Sequence, residues 1–386
     1  MDRQSIYLDY AASTPVDARV LDRMREVAET NSATPSSTHA AGREAQASMA
    51  HAAMQLAGLL NDDPGPRVGT SGATESDNLA IAGGARHRAH RGKHIVTMKT
   101  EHKAVTDAFE MLAHEGFEVA WVEADTNGCL APETFAAALR DDTQFESIMF
   151  INNETGVVQD IEALGQICRE RDVLFQVDAA QAVGKIPIDL DNLPVDLLSL
   201  TGHKFYGPKG VGALYIADRP GCNVEPILHG GGQQRRIRPG TLPTDLIAGL
   251  GMAAEVAAAS IESDLEHLRQ LRRVLWDGIR DVAGVTLNGD ADGFPGILNV
   301  SVEDIEGESL LLALEPLLVA TGSACNSKTQ EPSYVLRALG LSDDQAQSAI
   351  RFSLGRPTTR EEVDFAAAHY RDAIAHLREL APEAAA

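Results

Sequence analysis

At 386 residues the chain exceeds ordinary single-domain size, and its 44% hydrophobic and 23% charged residues are those of a folded globular protein, so a large domain and a smaller one are expected. The net charge of −23, from 33 basic and 56 acidic residues, argues against nucleic acid as a direct partner; the basic cluster Arg235, Arg236 and Arg238 does not reverse that. No apolar run approaches the roughly 20 residues that span a bilayer, and MDRQSIYLDYAA lacks a signal core or transit character, so no membrane association and a cytoplasmic location are expected.

In chain order, residues 37–60 are Ala-rich, without Pro or β-branched runs, and predict a long helix. From about residue 67 to 217, short β-rich runs alternate with helical patterns. Strands are predicted at 94–98, 119–123, 147–152, 173–177, 197–200 and 212–216, with helices such as 103–115 and 161–171 between them. This is the pattern of an α/β domain with a parallel sheet and helices on its faces. Residues 246 to about 283 are again helical, with Gly284 as stop signal. The remainder, including 297–302, 308–313 and a helix over 361–380, reads as a smaller α+β unit ending in a frayed APEAAA.

Three stretches carry chemistry. In RVGTSGATESDNLAI the turn Thr70-Ser71-Gly72-Ala73-Thr74 stands between a strand and a helix. There backbone N–H groups, hydroxyls and the positive end of the helix dipole converge on a phosphate. An ordinary turn capped by Thr74 has the same signature. In VLFQVDAAQAVG, Asp178 follows an apolar strand, where open α/β sheets bind ligands, and Gln181 lies three residues on; a helix N-cap is the plain alternative for Asp178. In LLSLTGHKFYGPKGVGALYI, Thr201, His203 and Lys204 follow another strand. A lysine behind an apolar run and beside a potentially cationic histidine is in surroundings that lower its pKa and make the amine nucleophilic. The alternative, a solvated surface lysine, belongs on a charged helix face. Together these stretches supply a phosphate turn, a carboxylate to pair with a pyridinium nitrogen and a lysine to form a Schiff base, a far more specific signal than any one alone.

The cysteines at 129, 168, 222 and 325 form no CxxC pair and have no histidine at metal-ligand spacing, so no metal site is expected. Cys129, Cys168 and Cys222 read as reduced, small apolar residues. Cys325 lies in ATGSACNSKTQEP among Ser323, Asn326, Ser327 and Lys328, a composition typical of loops. A thiol on such a loop can travel between an enclosed cofactor and an external acceptor.

With these motifs, the chain resembles the class V aminotransferase group of fold-type I pyridoxal-phosphate enzymes, and within it the cysteine desulfurases of the housekeeping iron–sulfur-assembly type. The resemblance runs through YLDYAASTPVD, SGATESDNLAI, KTEHKAV, NNETGVVQDI, DAAQAVGKIPIDL, TGHKFYGPKG, GGGQQRRIRPGT, GSACNS, EPSYVLRALGL and IRFSLGRPTT, nearly the whole chain. It implies a large cofactor-binding domain over 15–258 with a mainly parallel central sheet. Residues 1–14 and 259–386 then form a smaller α+β domain that carries the Cys325 loop.

The resemblance makes Lys204 the lysine bonded to pyridoxal 5'-phosphate, Asp178 the partner of the pyridine nitrogen and Gln181 a contact to the phenolic oxygen. It makes His102 the imidazole over the ring, and Ala73, Thr74, Thr201 and His203 the holders of the phosphate. Thr241 is expected to reach that phosphate from the neighbouring subunit of a homodimer. Asn153 and Arg351, or Arg356 in place of Arg351, are expected at the substrate carboxylate. The chain departs from the family pattern at Thr34, Thr201 and Thr155, which stand where the family has Asn, Ser and Ile.

The implied reaction takes sulfur from L-cysteine, leaves alanine, and holds the sulfur as a persulfide on Cys325. Lys204 moves the α-proton and His102 serves as proton carrier. The sulfur then passes to an iron–sulfur scaffold or a tRNA-thiolating enzyme. Another pyridoxal-phosphate lyase or aminotransferase, such as a selenocysteine lyase, and a non-catalytic sulfur-transfer scaffold are the alternatives.

Overall fold

The alternation of short apolar runs with amphipathic segments becomes strands and helices in the computed structural model, which describes residues 5–63, 67–321 and 331–380. Cys325 and the APEAAA tail lie outside the described residues. The first part of the chain forms β1 (Ile6–Tyr7), α1 (Ala18–Thr30), α2 (Ala40–Leu60), β2 (Arg67–Thr70), α3 (Ala73–Arg88), β3 (His94–Met98), α4 (Lys103–His114) and β4 (Glu118–Val122). It continues with α5 (Pro132–Ala138), β5 (Thr143–Met149), α6 (Ile161–Arg171), β6 (Leu174–Asp178), β7 (Leu197–Thr201) and β8 (Gly212–Ile216). The second part forms α7 (Thr244–Ile279), β9 (Val285–Leu287), β10 (Ile297–Val302), α8 (Gly307–Ala313), β11 (Leu317–Leu318) and β12 (Ala320–Thr321). Then come α9 (Tyr334–Ala338), α10 (Asp343–Gln347), β13 (Ile350–Ser353) and α11 (Arg360–Leu380).

Seven strands make the central sheet, in the order β2-β8-β7-β6-β5-β3-β4. β7, β6, β5, β3 and β4 pair in parallel, while β8 runs against both its neighbours, β7 and β2. Strand alternation alone does not reveal that reversal. Its cause is the short connection 202–211 between β7 and β8, which lacks the length of a parallel crossover. Every residue of β3, β5, β6, β7 and β8 is buried, as a sheet covered on both faces requires. On one face α3 and α4 contribute Leu79, Ile81, Val105 and Phe109 to a core with Phe145 and Leu174. On the other, Leu60, Leu164 and Leu250 from α2, α6 and α7 pack with Ile148, Phe175 and Leu198.

The strand predicted at 147–152 starts earlier, at Thr143, and ends at Met149. Its leading half is polar yet buried, and each polar side chain has at least one partner, although Gln144 Oε1 and Glu146 Oε1 have none among the described residues. Thr143 Oγ1 bonds His94 Nδ1 at 2.6 Å, Gln144 Nε2 donates to Ala85 O at 3.1 Å, and Cys168 Sγ donates to Glu146 Oε2 at 2.6 Å.

A second sheet, in the order β12-β13-β10-β9, is wholly antiparallel, and β1 pairs with β11 beside it. The expected division at 258/259 falls inside α7, a continuous helix of 36 residues. Glycines let α7 pack closely along its length. A Cβ at Gly249 would lie 2.6 Å from Met24 of α1, one at Gly251 2.6 Å from the Ala52 backbone of α2, and one at Gly278 2.7 Å from Ala367 of α11. By length and composition alone this helix is apolar enough to cross a bilayer. In the fold, Leu250, Ala254, Leu271 and Leu275 are buried in the core.

Candidate active site

Parallel strands deliver their carboxyl ends to one edge of the sheet. β3 and β5 are neighbours there although β4 lies between them in sequence, which creates the switch point where α/β sheets hold ligands. A cleft of about 510 Å³ opens at this edge. Ala73 and Thr74 reach it from the start of α3, His102 from the start of α4 and Asn153 from beyond β5. Asp178, Gln181, Thr201, His203 and Lys204 reach it from the ends of β6 and β7. Arg351 enters from β13 of the second sheet.

The α3 end of the cleft is built for an anion. Gly72 occupies the N-cap with φ 149° and no side-chain cap bond, so the first N–H groups of a 16-residue helix point outward without a capping partner. Thr70 of β2 and Thr201 of β7 both lie opposite Gly212 of β8. A Cβ at Gly212 would sit 2.4 Å from Leu200 O and 2.8 Å from Gly72 Cα, so only glycine there allows the Gly72 turn to approach Thr201. Glu75 also faces the cleft, but Arg238 Nε donates to its Oε1 at 2.7 Å. Burial favours the neutral acid; the bonds from Arg238 and Ser71 outweigh it and hold the carboxyl below its ordinary value.

Deeper in, Asp178 is buried and ends β6, accepting a bond from Ala180 N–H at 2.9 Å. Burial raises its pKa, while that bond and the nearby His102 and Lys204 act in the opposite direction. His102 caps α4: its Nδ1 accepts from Ala104 N–H at 3.1 Å, which leaves Nε2 to carry the proton of the neutral ring. Burial pushes this imidazole down, partly offset by Asp178. Lys204 Nζ donates to Ala11 O at 2.6 Å and Ala12 O at 2.9 Å. His203 bonds Ser13 Oγ through Nδ1 at 3.2 Å, and burial followed by Lys204, Lys209 and Lys185 lowers it to about 4. The potentially cationic neighbour is therefore a neutral imidazole near pH 7, and the positive charges around Lys204 come from other side chains.

The two arginines separate. Arg351 is buried and faces the cleft, its Nη1 donating to Asn153 O and its Nη2 to Asp9 Oδ1, each at 2.7 Å. Arg356 bonds Asp264 and Ser260 and stacks over Tyr206 at 4.3 Å, away from the cleft lining. Thr241 is exposed and does not line the cleft of its own chain; Thr34 is exposed and bonds Ser36 at 3.1 Å. Burial raises the thiol pKa of Cys129, Cys168 and Cys222, that of Cys222 to about 12, which fits inert residues. Among the described residues no cluster of metal-ligating side chains exists.

Sequence reading missed Asp77, which faces the cleft from α3 three residues after Thr74, and Lys185, whose amine bonds Gln181. The four-residue interval from Gln181 to Lys185 was the available signal.

These residues fit pyridoxal phosphate. A helix start with a Gly72 cradle suits the phosphate, a buried carboxylate with no bonded cation among the described residues suits a protonated ring nitrogen, and an amine at a strand end suits the aldehyde. The aminotransferase class-V family model matches residues 6–365, and the chain belongs to that family, whose cofactor is pyridoxal 5'-phosphate. It is 51% identical over 381 residues to "Cysteine desulfurase IscS" of Enterobacter sp. (strain 638), covering 98% of this chain and 94% of that protein. Among solved structures, a NifS-like protein matches with TM-score 0.90 and 35% identity, covering 97% of this chain and all (100%) of that one. A structure titled "SspA in complex with cysteine" matches with TM-score 0.82 and 36% identity, covering 92% of this chain and 100% of that one.

Proposed function

We propose that this protein is a cysteine desulfurase that converts L-cysteine to L-alanine and holds the sulfur as a persulfide on Cys325. The observation that carries this reading is where the described flanks of the Cys325 segment are fixed. On one side, Ala320 of β12 pairs with Arg351. On the other, Ser333 Oγ donates to Glu154 Oε2 at 2.5 Å, next to Asn153, and Tyr334 OH donates to Glu101 O at 2.6 Å, next to His102. One flank thus meets Arg351 of the cleft and the other meets the immediate chain neighbours of Asn153 and His102, which suits a thiol that acts on a substrate bound there.

When bound, pyridoxal phosphate supplies an aldehyde for the substrate amine and a ring that accepts charge as the α-proton leaves. Arg351 offers its guanidinium to the substrate carboxylate, with Asn153 beside it. Asp178 holds the proton of the ring nitrogen, and the N–H groups at Ala73 and Thr74, with Thr201 and His203, hold the phosphate. Lys204 takes up the α-proton, and His102 moves a proton through Nε2. The Cys325 thiolate then attacks the substrate sulfur: a sulfur–sulfur bond forms, the carbon–sulfur bond breaks, and its electron pair stays with the carbon that is protonated to alanine.

In this reading the protein is a homodimer in which Thr241 of one subunit reaches the phosphate of the other. Its acceptors are an iron–sulfur scaffold or a tRNA-thiolating enzyme. The reading is tested by alanine formation from cysteine. Cys325→Ser is expected to keep the cofactor and lose alanine release, because a serine hydroxyl is scarcely ionised at neutral pH. Wild-type alanine release by Cys325→Ser would replace the persulfide mechanism with a direct lyase.

A further inference from the structure

The amine of Lys185 donates to Gln181 Oε1, and its Nζ stands 5.7 Å from the centre of the Phe294 ring. The other end of the same amide is also fixed, since Gln181 Nε2 donates to Ala11 O at 2.8 Å. That carbonyl in turn accepts from Lys204 Nζ at 2.6 Å, so one hydrogen-bonded path joins Lys185, Gln181, Ala11 and Lys204. Beside it lies a cavity of about 30 Å³, room for a water, lined by Lys185, Lys204 and Tyr206 among others.

An amide has nearly the same shape with its oxygen and nitrogen exchanged, so its orientation is set by its partners. At present two partners agree: Ala11 O requires a donor and Lys185 supplies one; burial, followed by Lys204 and Arg351, pushes the Lys185 pKa well down, so the lock holds while that amine keeps its proton. A ligand that draws Gln181 Nε2 away from Ala11 O removes the first constraint and leaves Lys185 as the second.

We propose that Lys185 is a positioning residue: it locks the Gln181 amide with Nε2 toward the Lys204 side of the cleft, so that bound pyridoxal phosphate meets a hydrogen-bond donor there and never an acceptor. The proposal rests on the reading that Gln181 lies at the phenolic oxygen of the cofactor bonded to Lys204. A donor at that oxygen steadies its negative charge and weakens its hold on the proton of the adjacent lysine–cofactor bond. An acceptor does the reverse.

The test is a pH titration of the visible absorption of the holoenzyme. Lys204 is faced by Asp178 from β6, His102 from α4, and Lys185 and Arg351, with His203 and Lys209 from its own segment. Comparison is therefore between variants at one position. Lys185→Met is expected to move the titration midpoint upward by up to about one pH unit, the net worth of one hydrogen bond. Lys185→Arg keeps the donor and is expected to titrate like the wild type. Lys185→Ala admits a water and is expected to shift less in the same direction, which keeps the test open if Lys185→Met does not fold.

In a Gln181→Ala background, Lys185→Met is expected to add no further shift, because its effect passes through the amide. An unshifted Lys185→Met, or a shift of equal size without Gln181, overturns the proposal. A wild-type protein with no cofactor reducibly linked to Lys204 instead overturns the reading on which it rests.

Discussion

Two of the carboxyl groups that face the cleft, Asp77 and Asp178, carry different charges. Asp77 is fully buried, and its Oδ1 accepts from Gln176 Nε2 at 3.1 Å. Burial, followed by the charge of Asp178, pushes the Asp77 acid well above its ordinary value. Asp178 has the Ala180 N–H and the neighbouring His102 and Lys204 to favour its anion, so Asp77 is the neutral member. Asp77→Asn copies the shape of a protonated acid and is expected to leave alanine formation within about threefold of wild type. Asp178→Asn removes the anion and is expected to lower it by about a hundredfold. A collapse of activity in Asp77→Asn, measured by steady-state alanine release, would show that Asp77 carries the charge instead. His203 gives a prediction for stability. Its pKa is about 4 in the fold against 6.5 for an ordinary histidine. Between those values the unfolded chain binds more protons at this position, so stability present above pH 6.5 is lost as the pH falls toward 4. Thermal melts of the cofactor-free protein across this range are expected to fall less steeply for His203→Gln; equal slopes contradict the assignment.

The anion cradle belongs to no single element, because the start of α3 meets the end of β7 only across Gly212 of β8. A Cβ there strikes backbone on both sides, which cannot swing away as a side chain would. Gly212→Ala is expected to weaken cofactor binding by about tenfold or more, about 1.4 kcal/mol, with the rest of the fold retained. Titration of the cofactor-free variant with pyridoxal phosphate measures this, and unchanged affinity contradicts the cradle. Nothing in GVGALYI announces the contact, since Gly212 reads only as the first residue of an apolar strand. The same limit explains the displaced start of β5. Thr143, Gln144 and Glu146 look like a polar loop in sequence, and only His94, Ala85 and Cys168, brought in from other elements, make their burial tolerable. Elements whose signal is local were legible: Gly212–Ile216, Ile161–Arg171 and Ile297–Val302 form over the predicted residues.

Across the whole molecule, one helix ties the two sheets together. α7 packs on α1 and α2 at its start and on α11 near its end, while Arg356 bonds Asp264 and Ser260 midway along it. The cleft is completed from the second sheet by Arg351, with which Ala320 pairs on one flank of the Cys325 segment; on the other flank Ser333 and Tyr334 bond Glu154 and Glu101, the chain neighbours of Asn153 and His102. Of the residues that line the cleft, Asp178, Thr201, His203 and Lys204 were legible in sequence because each lies at or just after a strand end in a compact motif; Asp77, inside α3, was not. The choice of Arg351 over Arg356 was not, since both lie in IRFSLGRPTT and only the direction of β13 sends one inward. The central claim is that sulfur leaves cysteine by way of Cys325, and the most direct measurement is the mass of its peptide after exposure of the purified protein to cysteine without an acceptor. The account predicts the addition of one sulfur atom to the Cys325 peptide and none to those containing Cys129, Cys168 or Cys222, with alanine formed in equal amount. Alanine formed while the Cys325 peptide keeps its original mass would contradict it.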